Sequence, residues 1–233
     1  MHTLADRLLS QDCALCGAGS GSQMLCTPCD DSLPRLSDEY LRCPRCAMPS
    51  ASGAECGRCL KRAPYFDATH AVLRYGFPAD RVILSLKYGA NLPAAAYLAQ
   101  LLAQSLRHAA TARNVDLVLA MPLHRRRLAQ RGFNQSVEIG RRVARELDLP
   151  FSHAAAVRVR DTPPQADLPL IRRRANVRGA FDCTQTLDGR SVAVIDDVMT
   201  SGATVDELAK VLKRAGATRV ENWVVARTWP RSL

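Results

Sequence analysis

The spacing of hydrophobic and polar positions changes near residue 64 and predicts two regions of different construction. Before this point large apolar side chains are few. After it, alternating or continuous apolar runs predict strands, and apolar residues spaced by three and four predict helices. Strands are predicted over 66–75, 115–121, 154–159, 191–195 and 219–226. Helices are predicted over 78–88, 93–110, 134–147 and 202–215.

Strands that alternate with helices indicate an α/β fold with a parallel sheet flanked by helices. We expect residues 64–233 to form that domain and residues 1–63 to form a smaller one. The stretch between residues 160 and 179 is polar and rich in proline and arginine, and no strand or helix is predicted within it.

The smaller region contains an internal cysteine repeat. Eight of the nine cysteines form four C-x-x-C pairs, and the whole pattern recurs after 30 residues. Asp6 and Arg7 stand where an export signal would be apolar. We therefore expect a reducing cytoplasm, in which such pairs indicate metal ligation rather than disulfides. The candidate zinc ligands are Cys13, Cys16, Cys26, Cys29, Cys43, Cys46, Cys56 and Cys59.

Two arrangements of these ligands are open. Two knuckles joined by a short hairpin place four thiolates around one zinc ion, which gives one site in each repeat. In a cross-brace, the first and third pairs share an ion instead. The 30-residue duplication favours two tandem zinc ribbons over a cross-brace and over a disulfide-bonded domain without metal. Because the region has few large apolar side chains, we expect zinc to supply its folding free energy.

Composition and charge narrow the functional classes. The 233 residues are 47% hydrophobic and 23% charged, and no apolar run approaches the ~18 residues of a membrane helix. Of the formal net charge of +10, +8 falls between residues 124 and 178, where thirteen arginines and no lysine accompany five acidic residues. Such a cluster suits bidentate contacts with phosphates. An arginine bias of the whole chain, with 28 Arg and 4 Lys, explains the residue type but not the clustering.

The strongest chemical signal is the segment VAVIDDVMTSGAT at residues 192–204. An apolar strand is followed by Asp196 and Asp197, and then by a loop of small residues that enters a helix. A helix N-terminus at the C-terminal edge of a parallel sheet binds anions, and paired carboxylates accept hydrogen bonds from sugar hydroxyls. A phosphate beside a cis-diol describes a ribose 5-phosphate. The loop residues are Thr200, Ser201, Gly202, Ala203 and Thr204.

This segment resembles the thirteen-residue PRPP-binding motif of type I phosphoribosyltransferases. The resemblance implies that Asp196 and Asp197 are the catalytic ligands of the ribose hydroxyls, and that the loop binds the 5-phosphate. It also implies a pyrophosphate loop with bound Mg²⁺ after the second predicted strand. Taken alone that loop is a weak signal, because its proline is also an ordinary strand terminator. Its residues are Pro122, Leu123, His124 and Arg125.

Further motifs extend the resemblance over essentially the whole chain. The segment RGFNQ at residues 131–135, the LKY segment at 86–88 and the GAF segment at 179–181, together with the cysteine repeat, are similar to those of the ComF/GntX family. These are competence-associated phosphoribosyltransferase-like proteins. The flexible-loop candidates implied by this resemblance are Arg131, Gln165, Arg172, Arg173 and Asn176.

The resemblance implies a cytoplasmic protein linked to DNA uptake and natural transformation. The partners it implies are PRPP, single-stranded DNA, a competence helicase and a second copy of the chain. Three functions compete: phosphoribosyl transfer to an unidentified acceptor, PRPP binding without turnover, and single-stranded DNA handling. Only residues 227–233 follow the last predicted strand, so we expect the zinc ribbons, rather than a C-terminal hood, to cover the site.

Overall fold

The computed structural model describes residues 11–36, 41–109, 114–162 and 170–230. Its N-terminal part consists of two similar ribbons. In each, the first C-x-x-C pair forms a tight turn, and the second pair begins a short helix that starts next to a cysteine. The elements of this part are β1 (Gln11–Asp12), β2 (Gly19–Gly21), α1 (Thr27–Asp31) and α2 (Gly57–Lys61).

The 30-residue repeat is visible in the backbone hydrogen bonds. The amide of Cys13 donates to Ala18 at 2.7 Å, and that of Cys43 donates to Met48 at 2.8 Å. One ribbon therefore repeats the turn geometry of the other. The division of the chain into domains at residues 63 and 64 stays a prediction.

A parallel sheet of five strands forms the rest of the core, in the spatial order β3-β9-β8-β4-β5. A separate antiparallel pair joins β6 to β7. The strands are β3 (Ala68–Arg74), β4 (Leu117–Ala120), β5 (Phe151–Ser152), β6 (Ala156–Arg158), β7 (Phe181–Cys183), β8 (Ser191–Met199) and β9 (Arg219–Arg227). The helices are α3 (Ala79–Gly89), α4 (Leu92–His108), α5 (Arg125–Arg131), α6 (Gln135–Glu146), α7 (Leu170–Val177) and α8 (Ala203–Arg214).

Helices cover both faces of this sheet. Buried side chains of α3, α4 and α6 pack with those of the first ribbon on one face, and α8 packs with the second ribbon on the other. The predicted α/β architecture, a parallel sheet flanked by helices and preceded by two cysteine-rich ribbons, is confirmed. Among the described residues, no helix is long and apolar enough to span a membrane.

Beyond the ribbons, two helices (α5 and α7) and two short strands (β5 and β7) were not predicted. α5 buries none of its side chains, so its sequence has no apolar period to detect. α7 lies in the polar stretch to which no element was assigned, and β5 contains only two residues. The predicted strand at 191–195 is longer than expected, because β9 pairs with it as far as Met199.

Candidate functional site

Each set of four cysteines forms a cluster that fits one metal ion. The four sulfur atoms of Cys13, Cys16, Cys26 and Cys29 lie within 4.8 Å of one another, and so do those of the second ribbon. Tetrahedral Zn–S bonds of about 2.3 Å separate neighbouring sulfurs by roughly 3.8 Å. The Sγ atoms of Cys16 and Cys26 are 3.6 Å apart, which matches that spacing. The prediction of sequential sites is confirmed, and the cross-brace is wrong.

Four thiols this close together do not all ionise unless a cation is present. Burial opposes ionisation of Cys13, but backbone hydrogen bonds outweigh it and lower the pKa of Cys13 to about 6, whereas other thiols of the cluster keep their protons. The neighbouring Cys26 and Cys16 thiols raise the pKa of Cys29 to about 12. A divalent cation removes that penalty by binding the deprotonated sulfurs. The donor set therefore fits structural zinc in both ribbons.

Asp196 and Asp197 lie within β8, at the carboxyl end of the sheet, and both are buried. Oδ1 of Asp196 accepts hydrogen bonds from Ser136 Oγ at 3.2 Å and from the Asp197 amide at 3.0 Å. Lys87 places its Nζ 2.6 Å from Oδ2 of Asp197. Helices α3 and α6 thus hold the two carboxylates from the same side of the sheet.

The two carboxyl groups have opposite electrostatic environments. Burial, and next the charge of Asp197, raises the pKa of Asp196 to about 8. Burial also acts against ionisation of Asp197, but the Lys87 ammonium outweighs it and lowers the pKa of Asp197 below its ordinary value. Near neutral pH the pair therefore holds one proton, mainly on Asp196.

The loop from Thr200 to Thr204 leads from β8 into α8. Gly202 is the N-cap of α8 at φ +82°, in the left-handed region, and a Cβ there would lie 2.8 Å from the Met199 Cε. Arg173, one of the flexible-loop candidates, donates from Nη1 to the Thr200 hydroxyl at 3.0 Å. The structure thus brings an arginine of α7 to the first residue of this loop.

The segment that resembles a pyrophosphate loop follows β4, at the same edge of the sheet. Pro122 is buried, Leu123 is half-buried, and Arg125 is exposed at the start of α5. Nδ1 of His124 accepts from the Arg126 amide at 3.4 Å and so caps α5. In the structure His124 therefore has a local structural contact. A role for this segment in ligand binding stays a prediction.

The remaining flexible-loop candidates lie in different places. Arg131 stacks 5.6 Å from the ring centroid of Tyr88 and donates to Gln135 Oε1 at 2.6 Å. Asn176 is half-buried in α7. Gln165 and the side chain of Arg172 lie outside the described residues.

Sequence reasoning missed four residues that hold the site together. Lys87 pairs with Asp197, Gln135 contributes to lowering the pKa of Asp197, and Ser136 bonds Asp196. Arg227 donates to the backbone carbonyls of Met199 and Thr200, where the loop from Thr200 to Thr204 begins. Lys87 and Gln135 lie in the LKY and RGFNQ segments, so the sequence motifs included them but gave them no role.

The second ribbon lies beside the loop. Arg58 of α2 and Arg62 line a cleft together with Arg174, Ser201 and Gly202. Arg58 and Arg62 form no ion pair with any residue in the described ranges. Their charges therefore add to the positive potential at the N-terminus of α8.

Comparisons with known proteins agree with this geometry. The phosphoribosyl transferase domain model matches residues 134–228, and the double zinc ribbon domain model matches residues 4–60. The DNA utilization protein YhgH of Escherichia coli O157:H7 is 34% identical over 88% of this chain and 90% of its own length. Competence protein F of Haemophilus influenzae is 29% identical over 87% of this chain and 90% of its own.

A solved structure, the glutamine phosphoribosylpyrophosphate amidotransferase from B. subtilis, matches with a TM-score of 0.37 and 22% identity. The match covers 55% of this chain and 25% of that one. Along this chain the double zinc ribbon model precedes the phosphoribosyl transferase model, as predicted, and both relatives are matched over 90% of their own length. On the identity and coverage of those relatives, together with both domain models, the chain belongs to the ComF/GntX family.

Proposed function

We propose that the chain binds PRPP, or a related ribose 5-phosphate ligand, together with Mg²⁺ at the carboxyl end of β8. The observation that carries the proposal is the buried carboxylate pair Asp196 and Asp197, directly followed by a small-residue loop at a helix N-terminus. The carboxylates accept hydrogen bonds from the two ribose hydroxyls. The amides of residues 200–204 bind the 5-phosphate.

We propose further that bound PRPP transfers its phosphoribosyl group to an acceptor. The C1–oxygen bond breaks and its electron pair leaves with pyrophosphate, while a nucleophilic atom of the acceptor bonds to C1. Arginines of the 125–131 and 172–178 segments stabilise the negative charge of the leaving group. When bound, Mg²⁺ neutralises part of the same charge.

Calorimetry with PRPP and MgCl₂ tests the binding step. The wild-type protein should bind saturably, whereas the double variant Asp196→Asn, Asp197→Asn should not. Glu138→Gln is the control, since that side chain pairs with Arg142 at 2.8 Å on α6 and has no contact with the carboxylate pair. Absence of binding by folded, zinc-loaded wild-type protein would refute the proposal. Release of pyrophosphate would then separate turnover from binding alone.

A second candidate function is the handling of single-stranded DNA during uptake of DNA in the cytoplasm. It is favoured by the names of the two relatives, a DNA utilization protein and a competence protein, and by exposed arginines around the site, among them Arg58, Arg62, Arg125 and Arg174. Few aromatic residues accompany them: within 124–178 only Phe133 and Phe151 are available for stacking on bases.

Salt dependence distinguishes this function from PRPP binding. If arginines contact successive phosphates, the logarithm of the binding constant for an unlabelled oligothymidylate should fall linearly with the logarithm of salt concentration. The Asp196, Asp197 double variant should bind DNA at least as well as wild type, because it removes negative charge. A flat salt slope, or no binding at low salt, contradicts DNA handling by this surface.

A further inference from the structure

Arg227 connects the second zinc ribbon to the phosphate loop. It ends β9, and none of its surface is exposed. Its Nε donates to the carbonyl of Cys46 at 2.8 Å, and its Nη1 donates to the carbonyl of Met199 at 2.8 Å and to that of Thr200. One guanidinium therefore holds a metal-ligand knuckle and the first turn of the loop at the same time.

The charge of Arg227 has no carboxylate partner among the described residues. All its hydrogen bonds go to backbone carbonyls, and Nη2 is buried without a partner. A buried cation in such surroundings is costly unless an opposite charge lies close by.

Zinc bound by four thiolates supplies that opposite charge. Four thiolates contribute −4 and one zinc ion +2, so the second centre would have a net charge of −2. Cys46, whose carbonyl accepts from Arg227 Nε, is one of its four ligands. The negative charge of the four-thiolate zinc centre therefore compensates the positive charge of the Arg227 guanidinium. Trp229 adds a second contact to the same knuckle, from Nε1 to the Ala47 carbonyl at 3.2 Å.

The first ribbon has no comparable contact with the phosphate loop among the described residues. It attaches to the outer strand β3 instead, where the Leu36 amide donates to Val72 and the Arg74 amide donates to Pro34, each at 2.8 Å. It also attaches to α4, where the Tyr97 hydroxyl bonds Asp30. The second zinc centre is therefore connected to the loop at residues 199–204, whereas the first is connected to β3 and α4.

We propose that Arg227 is a positioning residue of the phosphate loop, and that the zinc centre formed by Cys43, Cys46, Cys56 and Cys59 compensates its charge. The loss of this zinc, but not of the zinc in the first ribbon, loosens residues 199–204. The effect on ligand affinity rests on the proposed function. The effect on the loop itself does not, because it follows from the hydrogen bonds of Arg227.

Hydrogen exchange of the ligand-free protein, read by mass spectrometry over residues 199–206, tests the proposal directly. Arg227→Met should keep two zinc ions and lose protection in this segment, and Arg227→Lys should restore part of it. Cys56→Ser should lose one zinc and deprotect the same segment. Cys26→Ser, at the matching position of the first repeat, should also lose one zinc but leave the segment protected.

Affinity for PRPP with MgCl₂ gives the second measurement. Hydrogen bonds from a charged donor are among the stronger ones, so Arg227→Met and Cys56→Ser should weaken binding about tenfold or more. Cys26→Ser should bind as wild type does. If wild-type protein binds no PRPP, the proposed function fails while the exchange measurement still decides the role of Arg227.

Two results would overturn the inference. One is unchanged protection of residues 199–206 in Arg227→Met. The other is equal deprotection in Cys26→Ser and Cys56→Ser, which would mean that zinc stabilises the whole fold without a specific path to the loop. Should Arg227→Met fail to fold, Arg227→Lys and the two cysteine variants give the same distinction.

Discussion

Replacing either buried aspartate by asparagine should change stability, but in opposite directions. Asp196→Asn should stabilise the protein at pH 7, because the native carboxyl group must take up a proton on folding. Asp197→Asn should destabilise it, because Lys87, 2.6 Å from Asp197 Oδ2, would lose its partner in a buried place. Both variants should lose the proposed ligand. The two substitutions would then have opposite effects on stability but the same effect on ligand binding.

The magnitude for Asp196 follows from its titration. The pKa is about 8 in the folded protein against an ordinary value of 3.8. One pKa unit corresponds to about 1.4 kcal/mol, so protonating this group at pH 7, roughly 3 units above its ordinary value, costs about 4 kcal/mol. Asparagine avoids that cost, and Asp196→Asn should stabilise the fold by up to about 4 kcal/mol.

The pH dependence of the free energy of unfolding tests the direction of the Asp196→Asn effect independently. Between about pH 4 and pH 8 the folded state binds a proton on Asp196 that the unfolded state has released, so this group lowers stability as pH rises through that window. Above pH 8 its contribution no longer changes. Asp196→Asn should remove this part of the slope.

For Asp197 the cost is that of breaking a buried ion pair. Such losses amount to about 3–5 kcal/mol, and the lower end is expected here because the Lys87 side chain is 24% exposed. Urea unfolding of zinc-loaded protein between pH 5 and 9, followed by fluorescence of the fully buried Trp223, measures both variants. The control Glu138→Gln should change stability by less than about 0.5 kcal/mol. If Asp196→Asn destabilises the protein as Asp197→Asn does, Asp196 is not held protonated and the electrostatic reasoning is wrong.

Three further predictions concern the ligand, the packing and the metal. PRPP binding at pH 7 should release close to one proton from Asp196, seen as a dependence of calorimetric enthalpy on buffer ionisation; no dependence at pH 7 contradicts this. Gly140→Ala should lower the free energy of unfolding in urea by about 1–3 kcal/mol, because the new Cβ would lie 2.9 Å from the Phe151 ring. An unchanged midpoint would show that α6 shifts enough to accommodate the methyl group. Metal analysis should find two zinc ions per chain, one for each cysteine cluster, and a single ion after Cys26→Ser.

Local sequence patterns predicted the parts of the site that are local in structure. Each cysteine cluster is formed by residues close in the chain, and the carboxylate pair and its loop occupy one strand, one turn and one helix start. Lys87 and Arg227 come to the same place from other strands and helices, and only the packing of α3 and β9 shows it. α5 was missed because none of its side chains is buried, and α7 because its arginine-rich sequence falls in a polar stretch.

The energetics of the carboxylate pair argue for function rather than structure. A purely structural β8 would be more stable with an apolar or amide side chain at Asp196, since a buried carboxyl group with a pKa near 8 lowers the stability of the fold at neutral pH. Asp197 alone already satisfies Lys87. A second carboxylate at this place is what the proposed function requires, because a ribose whose hydroxyl groups donate to both aspartates would favour the ionised form of Asp196. Binding of that ligand would displace the proton from Asp196, and proton release on PRPP binding would measure this linkage between ligand and proton.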